Sequence, residues 1–540
     1  MLWIISLECD SRLTWNPFHV GRSRSSVGRK LPLPSIERPP MLPIPRADLK
    51  PNTAEFERLP LVKPTGFREY DARWLFPDEI NLMGLNAVGL GLTRLFDERH
   101  VPKRFVIGHD FRWYSGAVKQ ALMNGLMAGG AEVYDIGLAL SPMAYFAQFA
   151  LEVEGVAMVT ASHNDNGWTG IKMGLERPLT FGPDEMGALK EIVLGGKYKA
   201  QAGGRYTFVP DIAERYMADL TSRPKVKRRL KVVAACGNGT AGAFAQQVLE
   251  RIGCDVVPLD AELDHSFPRY NPNPEDMKML HAISEAVLEH KADVGLGFDG
   301  DGDRCGIVDN EGHEIFADKV GVMLARDISS RHKGAKFVVD VKSTGLFMTD
   351  PVLRANGATT AYWKTGHSYI KRYSHETKSL VGFEKSGHFF FNPPLGRGYD
   401  DGLVAALAVC DMLDRNPGKS MADLKNALPE TWQSPTMSPH CDDETKYGVV
   451  DRIVAIYQER AAKGDKVAGQ HVRELVTVNG VRIVLEDGTW GLVRASSNKP
   501  ELVIVVESPT SEANMRAIFA DIDGLISSKF PEVGPYNQKI

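Results

Sequence analysis

The chain has 540 residues, 43% of them hydrophobic and 24% charged; at roughly 150 residues per domain it holds three to four hydrophobic cores, which excludes a single small module and global disorder. Its 64 Lys and Arg against 68 Asp and Glu give a net charge of −4, leaving no broad positive field to attract a nucleic acid, although a local basic pocket is compatible with that sum. Cysteines at 9, 236, 254, 305, 410 and 441 form no CxxC pair, so they read as reduced thiols of a cytoplasmic protein rather than a zinc cluster or disulfide framework.

No apolar run reaches the ~18 residues of a membrane helix, and the Leu2 to Leu7 run has no basic residues ahead of it, so neither a membrane partner nor a secretory signal is expected. Residues 1–54 are read as a poorly ordered extension, basic and dense in proline from Leu31 to Pro51. It is either a targeting segment or the product of a start upstream of the true one at Met41.

Beyond it a strand, helix, strand pattern comes three times. The first has an apolar run at Phe105, a helix-period segment from Ser115 to Ala128, a Gly-Gly stop and a strand at Glu132 to Ile136. The second has LKVVAAC from Leu230, a helix through Ala241 to Arg251, and CDVVPL; the third has FVVDV from Phe337, a helix near Leu346 to Arg354, and ATTAYW. After about residue 430 the texture changes to a helix around Val450 to Arg460, a hairpin from Glu474 to Leu485 about Asn479-Gly480, and strands at Trp490 to Ala495 and Leu502 to Glu507. The expected fold is thus α/β in four domains, 55–210, 211–315, 316–430 and 431–540. Three are similar α/β units with mixed sheets, the last is a smaller α+β unit, and all stand around a central cleft suited to a phosphorylated metabolite.

The sharpest chemical signal is Asp299-Gly-Asp301-Gly-Asp303-Arg304 after the strand Val294 to Phe298. Alternate carboxylates on a glycine-relaxed turn can converge on one hard cation, which relieves their mutual repulsion. An EF-hand loop is disfavoured, because Arg304 and Asn310 stand where that loop needs Gly and Glu; a solvated acidic turn is the other alternative. A second signal is Thr160-Ala161-Ser162-His163-Asn164, where a strand ends in a polar turn with Lys172 downstream. Ser162 there is either a nucleophile or a capping residue.

TASHN, DGDGDR, FEKSGH and RASSNKPELV, in this order from about Gly66 to Ser508, resemble the four signature loops of the α-D-phosphohexomutases. WKTGHS followed by GFEKSGHFFF is similar to the bacterial phosphomannomutase/phosphoglucomutase branch. The resemblance implies that Ser162 carries a phosphoryl group and completes the coordination of Mg²⁺ by Asp299, Asp301 and Asp303. It implies that Lys172, Arg304 and His388 serve the transfer. Glu384 and Ser386 would read sugar hydroxyls, and Arg494, Ser496, Ser497 and Asn498 would clamp the non-reacting phosphate. Tyr70, Arg73, Lys342 and His367 would line the cleft, although His367 could equally be structural.

The implied activity interconverts hexose 6- and 1-phosphates, of mannose and also glucose, through a hexose 1,6-bisphosphate, in a monomer or dimer. A phosphoglucosamine mutase, or a phosphosugar-binding protein that has lost turnover, is the rival. Three residues depart from the family pattern: Asp165 where Pro is usual, Trp74 where Gly is common and Ala235 where Asp is common. Asp165 and Trp74 are expected to reshape the cleft and so bear on substrate preference.

Overall fold

The computed structural model describes residues 42–222, 225–497 and 499–540. Most of the expected extension therefore lies outside the described residues, as does Asn498. From Pro43 onward the chain belongs to one compact unit. The expectation of a coreless segment reaching residue 54 is corrected for its last part: Arg46 N donates to Pro60 O at 2.9 Å, Arg46 bridges Leu61, and Leu49 is buried. A leucine at the end of a proline-dense run has covered its apolar surface against the body, which composition alone does not reveal.

Three of the four sheets repeat one plan. In the first, strands Arg104–His109, Glu132–Leu138 and Gly155–Val159 run parallel, and Trp168–Gly174 returns antiparallel beside Gly155–Val159. The second sheet does the same with Lys231–Ala235, Asp255–Leu259, Val294–Phe298 and the returning Cys305–Asp309. The third uses Lys336–Asp340, Thr359–Trp363, Val381–Phe383 and the returning Phe389–Phe391. In each, the first strand lies at the centre, the second on one side, the third on the other, and the antiparallel strand beyond the third. The apolar runs read from the sequence are these central strands, buried on both faces as parallel strands must be.

The fourth sheet is antiparallel throughout, from Trp432–Gln433 through Leu502–Ser508, Trp490–Ala495 and Val481–Leu485 to Val472–Val476. Two helices cover it, Lys446–Lys463 and Glu512–Lys529. The hairpin expected about Asn479-Gly480 is present, with Gly480 at φ 71°.

Two expected helices are interrupted. The one placed at Ala241 to Arg251 begins as a 3-10 turn, Thr240–Ala243, before the helix Ala245–Arg251. The one near Leu346 to Arg354 breaks into Leu346–Thr349 and Pro351–Ala355. Pro351 supplies no N–H and drives Asp350 out of the helical region, to ψ 124°, from where its carboxylate caps the second helix. Among the described residues all five cysteines are buried and unbridged, and no helix is long and apolar enough to cross a membrane.

Candidate active site

Each parallel-to-antiparallel reversal ends in a loop, and these loops are TASHN between Gly155–Val159 and Trp168–Gly174, DGDGDR between Val294–Phe298 and Cys305–Asp309, and EKSGH between Val381–Phe383 and Phe389–Phe391. RASSNKPE joins Trp490–Ala495 to Leu502–Ser508. All four meet at one cavity of about 1000 Å³. Tyr70, Arg73, Ser162, Lys172, Arg304, Lys342, His367, Glu384, Ser386, His388, Arg494, Ser496 and Ser497 line it. The three aspartates are fully buried beneath it.

The serine loop is held in a conformation a free chain avoids. Ser162 has φ 51°, in the left-handed region that few non-glycine residues adopt. Thr160 Oγ1 accepts from Ser162 N at 2.9 Å, and Arg112 Nη2 donates to the carbonyls of Ser162 at 3.0 Å and Asn164 at 2.6 Å. Arg112 is in turn paired with Asp110, which also accepts from Ser115 Oγ at 2.5 Å. Asp110, Arg112 and Ser115 were missed in the sequence; their signal is the polar run HDFRWYS at the end of the central strand Arg104–His109.

The aspartate loop is pressed against the serine. A Cβ at Gly300 would come 2.4 Å from Ser162 O, and Gly302 sits at φ 73°, so both glycines are demanded by geometry. Ser162 Oγ donates to Asp299 Oδ2 at 3.0 Å. Lys172 Nζ lies 2.7 Å from Asp301 Oδ2 and also pairs with Asp303, while Ser141 Oγ donates to Asp301 Oδ2 at 2.5 Å. Burial by itself would lower the Lys172 ammonium, but Asp301 and Asp303 outweigh it and hold the group well above its ordinary value. Burial and the neighbouring Asp301 push Asp303 up to about 7.

This donor set fits a hard divalent cation. One oxygen from each aspartate lies within 4.8 Å of the others, and Asp301 Oδ1 and Asp303 Oδ1 are buried without a hydrogen-bond partner among the described residues. A second layer fixes the loop from the third unit: Arg304 and His388 form an antiparallel bridge, and Cys305 N donates to Gly387 O at 3.2 Å.

Histidines around the cavity divide by environment. His163 Nδ1 is 3.3 Å from Ser162 Oγ, yet burial and the charges of Arg304 and Arg73 push its pKa well below the usual range, which keeps the ring neutral. His367 is likewise pushed down by burial and packs edge-on to Tyr70 at 4.7 Å. His388 differs: burial opposes its charge, but Asp303 and Asp400 prevail and raise it, with Nδ1 3.6 Å from Asp303 and 3.1 Å from Asp400. Arg73 is oriented by Asp71 at 2.9 Å and by Asn164. Glu384 Oε2, both ring nitrogens of His367 and Lys385 Nζ are buried without a hydrogen-bond partner among the described residues. Lys385 and Lys499 also line the cavity and were passed over in the sequence, because each stands inside a motif whose neighbours drew the attention.

The departures resolve unequally. Trp74 does not reach the cavity: it is fully buried against Phe67 at 5.2 Å and donates Nε1 to Lys63 O at 2.9 Å, so the expectation that it reshapes the cleft is corrected. Gly66 makes the room, since a Cβ there would come 1.9 Å from the indole nitrogen. Ala235 is a buried core residue. Asp165 does line the cavity, and it accepts from Asn271 of the second unit.

The phosphoglucomutase/phosphomannomutase family models match in order: the alpha/beta/alpha domains I, II and III at residues 64–199, 214–312 and 316–432, and the C-terminal domain at 443–525. The chain belongs to this family. It is 33% identical over 476 residues to the phosphomannomutase/phosphoglucomutase of Pseudomonas syringae pv. tomato, covering 88% of this chain and 97% of that one. With the phosphoglucomutase of Neisseria meningitidis serogroup A it shares 30% identity, over 83% and 94% of the two chains. Among solved structures it is similar to a phosphoglucomutase/phosphomannomutase family protein from Burkholderia thailandensis, at TM-score 0.79 and 28% identity, covering 88% and 99% of the respective chains.

Proposed function

We propose that this phosphohexomutase-family enzyme interconverts the 6- and 1-phosphates of mannose and of glucose through a phosphorylated Ser162 and a hexose 1,6-bisphosphate. The observation that carries the reading is the contact of Ser162 Oγ with Asp299 at 3.0 Å, in a left-handed turn at the floor of a cavity where all four loops meet. We assign the four units, with limits at 55–210, 211–315, 316–430 and 431–540, as domains that each contribute one of those loops.

Asp299, Asp301, Asp303 and an oxygen on Ser162 would hold Mg²⁺, which when bound supplies positive charge beside the phosphoryl group. The residues of the chain do the rest. Arg304, whose Nε is 3.1 Å from Asp299, and Lys172, kept cationic by its two aspartates, stabilise charge on the oxygens in transfer. Lys172 is too firmly protonated to act as a base, and His388, whose charged form Asp303 and Asp400 favour, adds a cation and a proton donor beside the group in transfer.

Glu384 and Ser386 hydrogen-bond hydroxyls that both orientations of the sugar present. Arg494, Ser496, Ser497 and Asn498 hold whichever phosphate is not reacting, through charge-assisted hydrogen bonds. Lys342 adds a cation from the third unit, Arg73 one from the first, and Tyr70 and His367 close the wall between them. The test is a ³¹P NMR time course with Mg²⁺, a trace of hexose 1,6-bisphosphate, and mannose 1-phosphate and glucose 1-phosphate together. Conversion of both to 6-phosphates is expected; no reaction of either, including the case in which a parallel sample of glucosamine 1-phosphate does react, overturns the reading.

A further inference from the structure

The fourth sheet meets the third unit through an arginine that is almost wholly buried. Arg482, on the strand Val481–Leu485, is 1% exposed. Its guanidinium lies between two aromatic faces, 3.5 Å from the Trp490 ring centroid and 4.1 Å from that of Tyr362. Nη1 donates to Val341 O at 2.7 Å and to Ser343 O at 2.7 Å, and Nη2 donates to Tyr362 Oη at 2.8 Å. Burial lowers its pKa from the ordinary arginine value.

A buried cation contributes to stability only when its donors and its charge are compensated, and an apolar residue of similar size would fill the same space with less penalty. What the arginine adds is geometry: a rigid fork with two carbonyls in its grip. Those carbonyls belong to the residues on either side of Lys342, whose own side chain lines the cavity. The stretch is gripped again just downstream, where Glu507 accepts from Thr344 Oγ1 at 2.7 Å and from Gly345 N at 2.8 Å. Within the third unit, Asp340 accepts from Ser343 Oγ at 2.6 Å.

We infer that Arg482 is a positioning residue for Lys342: reaching from the fourth sheet, it fixes the main chain on both sides of that lysine and holds the ammonium toward the cleft. This rests on the reading of Lys342 as a contact for the sugar phosphate. Arg494 lies on the strand Trp490–Ala495, which also carries the Trp490 that stacks on Arg482. One joint therefore sets the spacing of two phosphate-facing cations that come from different units.

The experiment is a double-mutant cycle on the full-length enzyme with Arg482→Lys and Lys342→Met, reading KM, kcat and Tm separately. Arg482→Lys keeps the charge and loses the fork. It is expected to raise KM about tenfold, with kcat within about threefold, and to add nothing to KM when Lys342 is already Met. A loss that multiplies with that of Lys342→Met, or an unchanged KM, overturns the inference. An unchanged KM in Lys342→Met alone overturns the reading of Lys342 and the inference with it. Should Arg482→Lys fold poorly, Tyr362→Phe keeps the ring and removes one anchor of the guanidinium. It is then expected to raise KM two- to threefold, again only when Lys342 is present, and an equal rise in the Met background counts against the proposal.

Discussion

The serine and aspartate loops on one side of the cleft and the clamp loop on the other are built to different tolerances. Ser162 is 3% exposed and Asp299, Asp301 and Asp303 are 0% exposed, stitched together by Gly300, Ser141, Lys172 and Arg112. In the fourth unit Arg494 is 5% exposed and Ser496 is 7%, but Ser497 is half-buried and Lys499 and Pro500 stand in solvent. Reacting atoms must be placed to within a fraction of an ångström, so their half is locked. A phosphate that enters, turns over and leaves needs a half that can loosen. Glu69 of the first unit accepts from Tyr447 at 2.7 Å and from Tyr369 at 3.1 Å, an exposed tie between the first and fourth units, whereas the buried joint around Arg482 and Glu507 ties the fourth unit to the third.

Substitutions at the two halves should separate cleanly. Ser162→Ala removes the proposed phosphoryl carrier and is expected to lower kcat roughly 10⁴-fold or more while the sugar phosphate still binds, as read by turnover and calorimetry. Unchanged turnover would remove Ser162 from the chemistry. At the joint between the fourth and third units, Glu507 is bound by Lys319 at 2.7 Å and by the Trp490 indole at 2.7 Å, besides its contacts to Thr344 and Gly345. Burial works to raise its pKa, but Lys319 leads the groups that bring it from 4.5 down to about 2.

A depressed carboxylate stabilises the fold fully above its unfolded pKa and loses that contribution as pH falls through the folded value. The share of stability owed to Glu507 is therefore complete above pH 4.5 and gone below about pH 2. Glu507→Gln should cost about 3 kcal/mol at neutral pH and flatten the fall in Tm between those values, measured by thermal melts at stepped pH. A parallel fall in both proteins would show that the carboxylate is not what titrates.

Arg494→Ala, on the looser half, should raise KM roughly ten- to a hundredfold with a smaller change in kcat, since a charge-assisted hydrogen bond to phosphate contributes about 1.5–3 kcal/mol. A kcat loss as large as that of Ser162→Ala would erase the distinction between the halves. The smallest effect is expected of Asp165→Ala, which removes one exposed contact to Asn271. Its kcat/KM should stay within about twofold for both sugars, in line with the modest worth of exposed polar contacts. A change in the mannose-to-glucose ratio would make Asp165 a specificity determinant instead.

The motif residues were legible because each lies inside a short run, and a loop between two strands keeps its neighbours together wherever the strands go. DGDGDR could be read as a cation site from spacing and residue type, whereas TASHN by itself left Ser162 between a nucleophile and a cap, and only the resemblance to a family implied a carrier; the apolar runs announced the buried parallel strands. Trp74 shows the limit of that method: a bulky residue beside a motif arginine looked like part of the cleft, but strand alternation turns its ring to the opposite face from Arg73. The run that holds Asp110, Arg112 and Ser115 does not disclose its role for a related reason, as it acts through the backbone of a loop some 50 residues away.

By itself, then, the sequence determined the four-part α/β plan and the short motifs that make up each loop, because local patterning and residue type are properties of short segments. Only the tertiary structure decided how those loops meet: that Gly300 is bare because Ser162 presses on it, that Lys172 is held cationic while His163 is held neutral, and that Arg482 reaches across to the carbonyls of Val341 and Ser343. Charge states and orientations depend on the field and packing of residues distant in sequence, and that information exists only once the chain has folded.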